Sequence, residues 1–261
     1  VSIYFVVFIL GSLWGSFCNV CIYRLPVKGD VVSSRSRCRL CKKVIRWFDN
    51  IPLVSYIILL AKCRNCKSKI NFRYFAVELS TALSFLAVFY LYGVTISTLL
   101  LMVLIIFFVI IFFIDLDHYI IPNELTFPLM LIGFIKSFDP NLNLNLFPNY
   151  LDSLIGGALG YILIWGLITL YLKIRNKEGM GLGDAKLLSA IGFWFGWYSI
   201  PYVIFLSSLS ALMIALPGLI NKSKTMSSCL LYTSDAADDT SSVGMGGGRV
   251  GGKGGGGGGG G

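Results

Sequence analysis

Charged residues are scarce in this chain. They make up 13% of the sequence, whereas an ordinary soluble domain carries about 25%. Hydrophobic residues make up 56%, and the mean hydropathy is +0.76. This low charge and high hydrophobic content exclude an ordinary soluble globular protein. They predict that the bilayer is the solvent for most of the chain.

Long apolar runs supply the membrane-spanning candidates, because a helix of roughly 17–25 apolar residues can cross a bilayer. No basic segment precedes the first run, and Arg24 follows it, so we interpret it as a retained helix and not as a cleaved signal peptide. The predicted fold class is an all-α polytopic membrane protein with about seven transmembrane helices. The runs lie near 2–23, 75–92, 95–114, 124–138, 151–172, 186–200 and 202–220.

Acidic residues are few, and the basic ones are concentrated in one loop. A net charge of +9 raises nucleic acid as a partner, but 13 of the 22 Lys and Arg residues lie between Arg24 and Arg73. That loop joins the first two runs, and an excess of Lys and Arg marks the cytoplasmic side. The segment 138–150 has no Lys or Arg and is predicted to lie outside. The partner is therefore the lipid bilayer and not nucleic acid.

Two cysteine pairs lie within this basic loop. Cys38 and Cys41, then Cys63 and Cys66, form C-x2-C motifs separated by 21 residues, a spacing typical of a four-thiolate zinc site. Four protein ligands leave no open position, so such a zinc is structural. The alternative is four unrelated buried or redox-active cysteines. Stable disulfides are disfavoured because the loop is predicted to be cytoplasmic.

Two aspartates stand beside apolar runs, where a carboxylate is costly and is therefore a functional candidate. Asp115 directly follows the run 95–114, and Pro122 then breaks the helix. Asp184 follows the glycine-rich stretch 179–183, which leaves room for an extended peptide; alternatively it is a helix N-cap in a flexible loop. Alternation of the runs places both acids on the cytoplasmic side. A close pair would share a proton and could hydrolyse an amide.

The end of the chain differs in character from the rest. From about Cys229 the residues resemble translated adapter sequence, and 244–261 is nearly all glycine. We interpret 223–261 as a disordered sequencing artefact; the alternative is a natural flexible tail. The predicted domains are a first transmembrane helix (1–25), a cytoplasmic four-cysteine zinc loop (26–73), a transmembrane aspartic peptidase core (74–222) and this tail (223–261).

These motifs together resemble the prepilin peptidase family, the membrane aspartic proteases of type IV pili and type II secretion. Besides the cysteine pairs and the aspartate motifs with Lys186, the resemblance rests on the segments 11–26, 50–56 and 73–78. It covers most of residues 11–200.

The resemblance implies a multi-pass protein of the bacterial inner membrane that cleaves the leader peptides of prepilin or pseudopilin substrates at the cytoplasmic face. It assigns catalysis to Asp115 and Asp184 and not to Asp117. Many members with the cysteine loop also methylate the new N-terminus with S-adenosylmethionine.

Two other functions remain open from the residues alone. One is a membrane thiol-disulfide oxidoreductase that uses the C-x2-C pairs, which a reducing cytoplasm disfavours. The other is a proton-coupled transporter that uses the aspartates as relays. Transport is disfavoured because both acids lie at one face and neither lies near the midplane.

Overall fold

A computed structural model describes residues 2–27, 36–139, 147–175 and 181–220, with the backbone alone at 175 and 214–220. The chain divides into two compact units, residues 1–213 and residues 214–261. The described part of the second unit is the end of the last helix. The predicted tail, 223–261, lies outside the described residues. The domain boundaries at residues 25, 73 and 222 remain predictions from the sequence.

The described residues form eight α-helices and one short 3-10 turn, without a β-strand, so the all-α prediction is confirmed for them. The helices are α1 (Ser2–Arg24), α2 (Val54–Ile58), α3 (Phe72–Tyr92), α4 (Ile96–His118), α5 (Asn123–Lys136), α6 (Tyr150–Arg175), α7 (Leu182–Phe195) and α8 (Ser199–Ile220). The 3-10 turn covers Trp47–Asn50.

Within the part of the chain that the structure describes, four helices are long and apolar enough to cross a bilayer, namely α1, α3, α4 and most of α6. The helices α5 and α7 have 14 residues each, which gives about 21 Å at 1.5 Å per residue, less than a hydrocarbon core of about 30 Å. Each predicted apolar run corresponds to a helix, but the count of seven spans stays a prediction.

Small residues allow the helices to approach closely. In α1, a Cβ atom added to Gly11 would lie 2.7 Å from the Cα of Ala82 in α3. Between α6 and α7, a Cβ on Gly192 would lie 2.2 Å from the carbonyl oxygen of Gly156. Such contacts are the usual basis of helix association in lipid, where dispersion replaces the hydrophobic effect.

The helices form two groups that share an apolar core. The first contains α1, α3 and α4, and the second contains α5, α6 and α7. Within the second group the buried Trp194 donates its Nε1–H to the carbonyl oxygen of Leu129 at 2.8 Å. The helices α4 and α5 contact each other sparsely, about as little as α5 and α6 do and much less than α1 and α3 or α6 and α7. The junction between α4 and α5, residues 119–122, therefore joins the two groups.

Candidate active site and metal centre

Asp115 lies in the last turn of α4, because the helix continues to His118, past its predicted end at residue 114. Tyr119 then adopts a left-handed conformation (φ 53°) and donates its N–H to the carbonyl oxygen of Asp115 at 2.9 Å. This contact ends the helix. The Asp115 side chain is exposed, and it lies just before the junction with α5.

Asp184 is the third residue of α7, which begins at Leu182, four residues before its predicted start. Gly181 occupies the N-cap position, so the alternative reading of Asp184 as an N-cap is wrong. The carboxyl group is half-buried in the first helical turn. Burial, and after it the charge of Asp115, raise the pKa of Asp184 above its ordinary value. The two predicted acids therefore lie close enough to interact electrostatically.

Two contacts hold the start of α7 against the junction that follows Asp115. The Nζ of Lys186 donates to Oδ1 of Asn123, the first residue of α5, at 2.6 Å. A Cβ atom on Gly183 would lie 3.0 Å from the Cβ of Ile121, so glycine permits this close approach. The structure thus brings the segments of both acids together, although they are far apart in sequence.

Arg73 holds the end of α4 from both sides of Asp115. Its guanidinium forms an ion pair with Asp117 and donates to the carbonyl oxygen of Phe113 at 3.2 Å. It also lies 5.2 Å from the centroid of the Phe113 ring. These partners are two residues before and two after Asp115. This role of Arg73 was not predicted from the sequence, although an Arg at the start of one span and an acid at the end of the next are a usable signal.

A polar cavity of about 210 Å³ lies beside this ion pair. Its wall includes Asn19, Tyr23, Arg39, Tyr74 and His118. The Arg39 guanidinium lies 4.4 Å from the Tyr23 ring centroid and 5.3 Å from that of Tyr74. The polar last turn of α4 therefore faces a polar cavity.

The two cysteine pairs form two turns of the same design. The N–H of Lys42 donates to the carbonyl oxygen of Cys38 at 3.0 Å, and the N–H of Lys67 donates to that of Cys63 at 2.9 Å. Both lysines adopt the left-handed conformation, with φ of 58° and 53°. Each turn directs both sulfurs of its pair to one side, which explains the two-residue spacing.

All four sulfurs converge, with their Sγ atoms within 4.8 Å of one another. The Sγ atoms of Cys38 and Cys66 are 3.8 Å apart, and a tetrahedron with Zn–S bonds of about 2.3 Å has S–S edges of about 3.8 Å. A hydrogen bond with Ser68 lowers the pKa of the Cys66 thiol to about 6, which favours the ligating thiolate. The described cysteines are free thiols. The cluster therefore fits a metal ion.

Two family models match the chain. A bacterial Peptidase A24 N-terminal domain matches residues 9–92, and the Type IV leader peptidase family matches residues 102–216. A prepilin leader peptidase/N-methyltransferase of Pseudomonas aeruginosa is 36% identical over 77% of this chain and 76% of its own length. The chain belongs to the type IV leader peptidase family.

Other relatives in this family carry the same description. A prepilin leader peptidase/N-methyltransferase of Neisseria gonorrhoeae is 34% identical over 87% of this chain and 89% of its own length. A prepilin leader peptidase/N-methyltransferase of Aeromonas hydrophila is 35% identical over 78% of this chain and 77% of its own length. No solved structure matches the chain. Both acids lie in the second matched segment, and the four cysteines lie in the first.

Proposed function

We propose that this chain is a membrane aspartic endopeptidase that removes the leader peptide of prepilin-like proteins, with Asp115 and Asp184 as its catalytic pair. Family membership supports the reaction class, and the relatives' names give the substrate class. The observation that carries the residue assignment is the contact between the segments of the two acids, in which Lys186 donates to Asn123 at 2.6 Å and Gly183 lies against Ile121.

A pair with one proton can hydrolyse an amide. Asp184 is more buried than Asp115, so it holds the shared proton and donates it to the carbonyl oxygen of the scissile bond. Ionised Asp115 takes a proton from a water molecule, whose oxygen forms a bond to the carbonyl carbon. The C–N bond then breaks as Asp115 passes the proton that it took from water to the leaving nitrogen, while the former carbonyl oxygen returns its proton to Asp184. A carboxyl product and a free N-terminus result, without a covalent intermediate.

The orientation of the protein follows from its charges. The basic loop between α1 and α3 is cytoplasmic, and alternation through seven spans brings the ends of α4 and α6 and the start of α7 to the same face. The active site is then at the cytoplasmic surface of the bacterial inner membrane. Such a site acts on a peptide bond that is itself held near the bilayer, as in prepilin or pseudopilin substrates.

The metal of the four-cysteine cluster is zinc, and its role is structural because four thiolates complete a tetrahedron. The zinc stabilises a loop that is too polar to form a hydrophobic core of its own. Methyl transfer from S-adenosylmethionine to the new N-terminus is a second activity, supported by the relatives' names. Incubation with that donor should add the mass of one methyl group to the cleaved product.

The two rival functions find no support. The relatives are described neither as thiol-disulfide oxidoreductases nor as transporters. The free, convergent thiols fit metal ligation better than disulfide exchange.

The decisive experiment replaces each acid with its neutral isostere. Asp115→Asn and Asp184→Asn should each abolish cleavage of a prepilin in membranes, while the protein still inserts. Asp152→Asn is the matched control, because Asp152 lies in the first turn of α6, at the opposite face in the proposed topology. Cleavage near the parent rate in both catalytic variants would refute the assignment.

A further inference from the structure

The helix α2 turns an apolar side outward. Ile57 and Ile58 are 62% and 69% exposed, and Val54, on the same helical face, is exposed as well. The flanking residues Ile51 and Leu60 are also exposed. These five residues form the outer face of α2. Clustered exposed apolar side chains of this kind mark an interaction surface.

The other side of α2 is fixed to the transmembrane helix α3. The ring centroids of Tyr56 and Phe75 are 5.2 Å apart. The N–H of the buried Leu53 donates to Oε2 of Glu78 at 2.8 Å. Glu78 is the seventh residue of α3, so it lies about 9 Å along the helix axis from the first residue, Phe72.

This attachment sets the depth of α2 relative to the bilayer. The helix α3 is long and apolar enough to span, and α2 lies beside its first two turns. The headgroup region of one leaflet is about 5–8 Å thick, from the difference between the whole bilayer and its hydrocarbon core. With Phe72, the first residue of α3, at the bilayer surface, the outer face of α2 is level with the headgroups and the upper acyl chains.

The charge of the loop indicates which surface it meets. Residues 36–71 contain nine Lys and Arg residues and a single acid, Asp49. That acid is already paired with Arg64 at 2.7 Å. A second copy of this chain would bring an equally basic loop, which opposes association. An anionic lipid leaflet is complementary, and it attracts basic segments next to transmembrane helices.

We propose that the outer face of α2 inserts into the headgroup region of an anionic leaflet, while the Lys and Arg residues of the two cysteine turns bind lipid phosphates. The combination of an apolar side with neighbouring cations is that of an interfacial helix. This docking holds the four-cysteine cluster at the membrane surface beside the end of α4. It does not depend on the proposed peptidase activity.

Fluorescence quenching by brominated lipids tests the docking in the full-length protein. Ile57→Trp places a probe on the outer face, and Tyr56→Trp is the matched control, since Tyr56 lies on the same helix but packs against Phe75 of α3. The signal is the fluorescence of each variant minus that of the parent, in vesicles of phosphatidylcholine with or without phosphatidylglycerol. Metal content equal to the parent's shows that the loop has folded.

The added fluorescence of Ile57→Trp should be quenched at least about twofold more than that of Tyr56→Trp, as expected for an inserted side chain. Quenching should increase with phosphatidylglycerol and decrease at high salt. Equal quenching at the two positions, or no dependence on the anionic lipid, overturns the proposal.

Crosslinking identifies the partner independently of lipid quenching. A photoreactive benzoylphenylalanine in place of Ile58 should crosslink to lipid. Efficient crosslinking to a second copy of the chain or to a prepilin would instead show that a protein covers this face, and it would overturn the proposal.

Discussion

Replacing Arg73 tests whether the geometry at the end of α4 matters for catalysis. A hydrogen bond from a charged donor contributes about 1.5–3 kcal/mol, and an exposed ion pair contributes about 0.2–1 kcal/mol. The Arg73 side chain is 26% exposed and that of Asp117 is 38% exposed, so the low end of each range applies. Arg73→Ala then costs about 2 kcal/mol.

That loss sets an upper limit on the change in rate. If all of it acts on the alignment of Asp115 in the transition state, kcat falls about 30-fold, since each 1.36 kcal/mol is a factor of ten. We expect a fall of about 5- to 30-fold in kcat, with KM nearly unchanged, because Arg73 orients an acid and does not bind the substrate. Arg73→Lys should fall between the parent and Arg73→Ala, because lysine keeps the charge but not the planar fork.

The assay is cleavage of a purified prepilin by the reconstituted enzyme over a range of substrate concentrations. Thermal unfolding and metal content measured on the same samples separate misalignment from misfolding. A kcat within about twofold of the parent for Arg73→Ala, or an unchanged kcat with a raised KM, would refute the positioning role.

Three further predictions concern packing, metal and protonation. Gly192→Ala should lower the unfolding temperature, because the added Cβ would meet the carbonyl group of Gly156. Gly166→Ala is the control and should be neutral or stabilising, because no atom lies within 4 Å of its added Cβ. Equal unfolding temperatures for the two variants would contradict the close packing. A Cys38→Ser/Cys63→Ser double variant should contain almost no zinc by elemental analysis, and retention of one zinc per chain would exclude the four-thiolate site. Because the folded state raises the pKa of Asp184, ionisation of this acid destabilises the fold as the pH rises through that value. Asp184→Asn should therefore unfold at a higher temperature than the parent at neutral pH, and the difference should vanish below the ordinary Asp pKa of about 3.9; a variant less stable at neutral pH would contradict this.

The apolar pattern predicted the helices well but not their ends. Hydropathy locates α4, but the helix continues through Asp115 to His118 because Arg73 binds the polar last turn and Tyr119 provides a left-handed stop. These are tertiary and conformational effects that an apolar count does not contain. Likewise, α7 ends at Phe195, where Gly196 has a φ of 78°, and not at the predicted residue 200.

Local spacing predicted the cysteine cluster, because the two turns that hold its sulfurs are formed by residues adjacent in sequence. The helix α2 was not predicted. It has five residues, too few for a periodic pattern, and its position depends on contacts with Phe75 and Glu78 that arise only when α3 is in place. The proximity of Asp115 and Asp184 was inferred from topology, but the link through Lys186 and Asn123 required the fold.

The weak contact between α4 and α5 has a consequence for control of the reaction. Asp115 belongs to the first helix group and Asp184 to the second. In the proposed mechanism the two carboxylates share a proton only while they are close, so a small separation of the two helix groups would end the shared protonation. Bilayer thickness and lateral pressure act on how transmembrane helices tilt and associate. In that mechanism, the lipid environment would tune the acid–base chemistry of the proposed pair without contacting either aspartate.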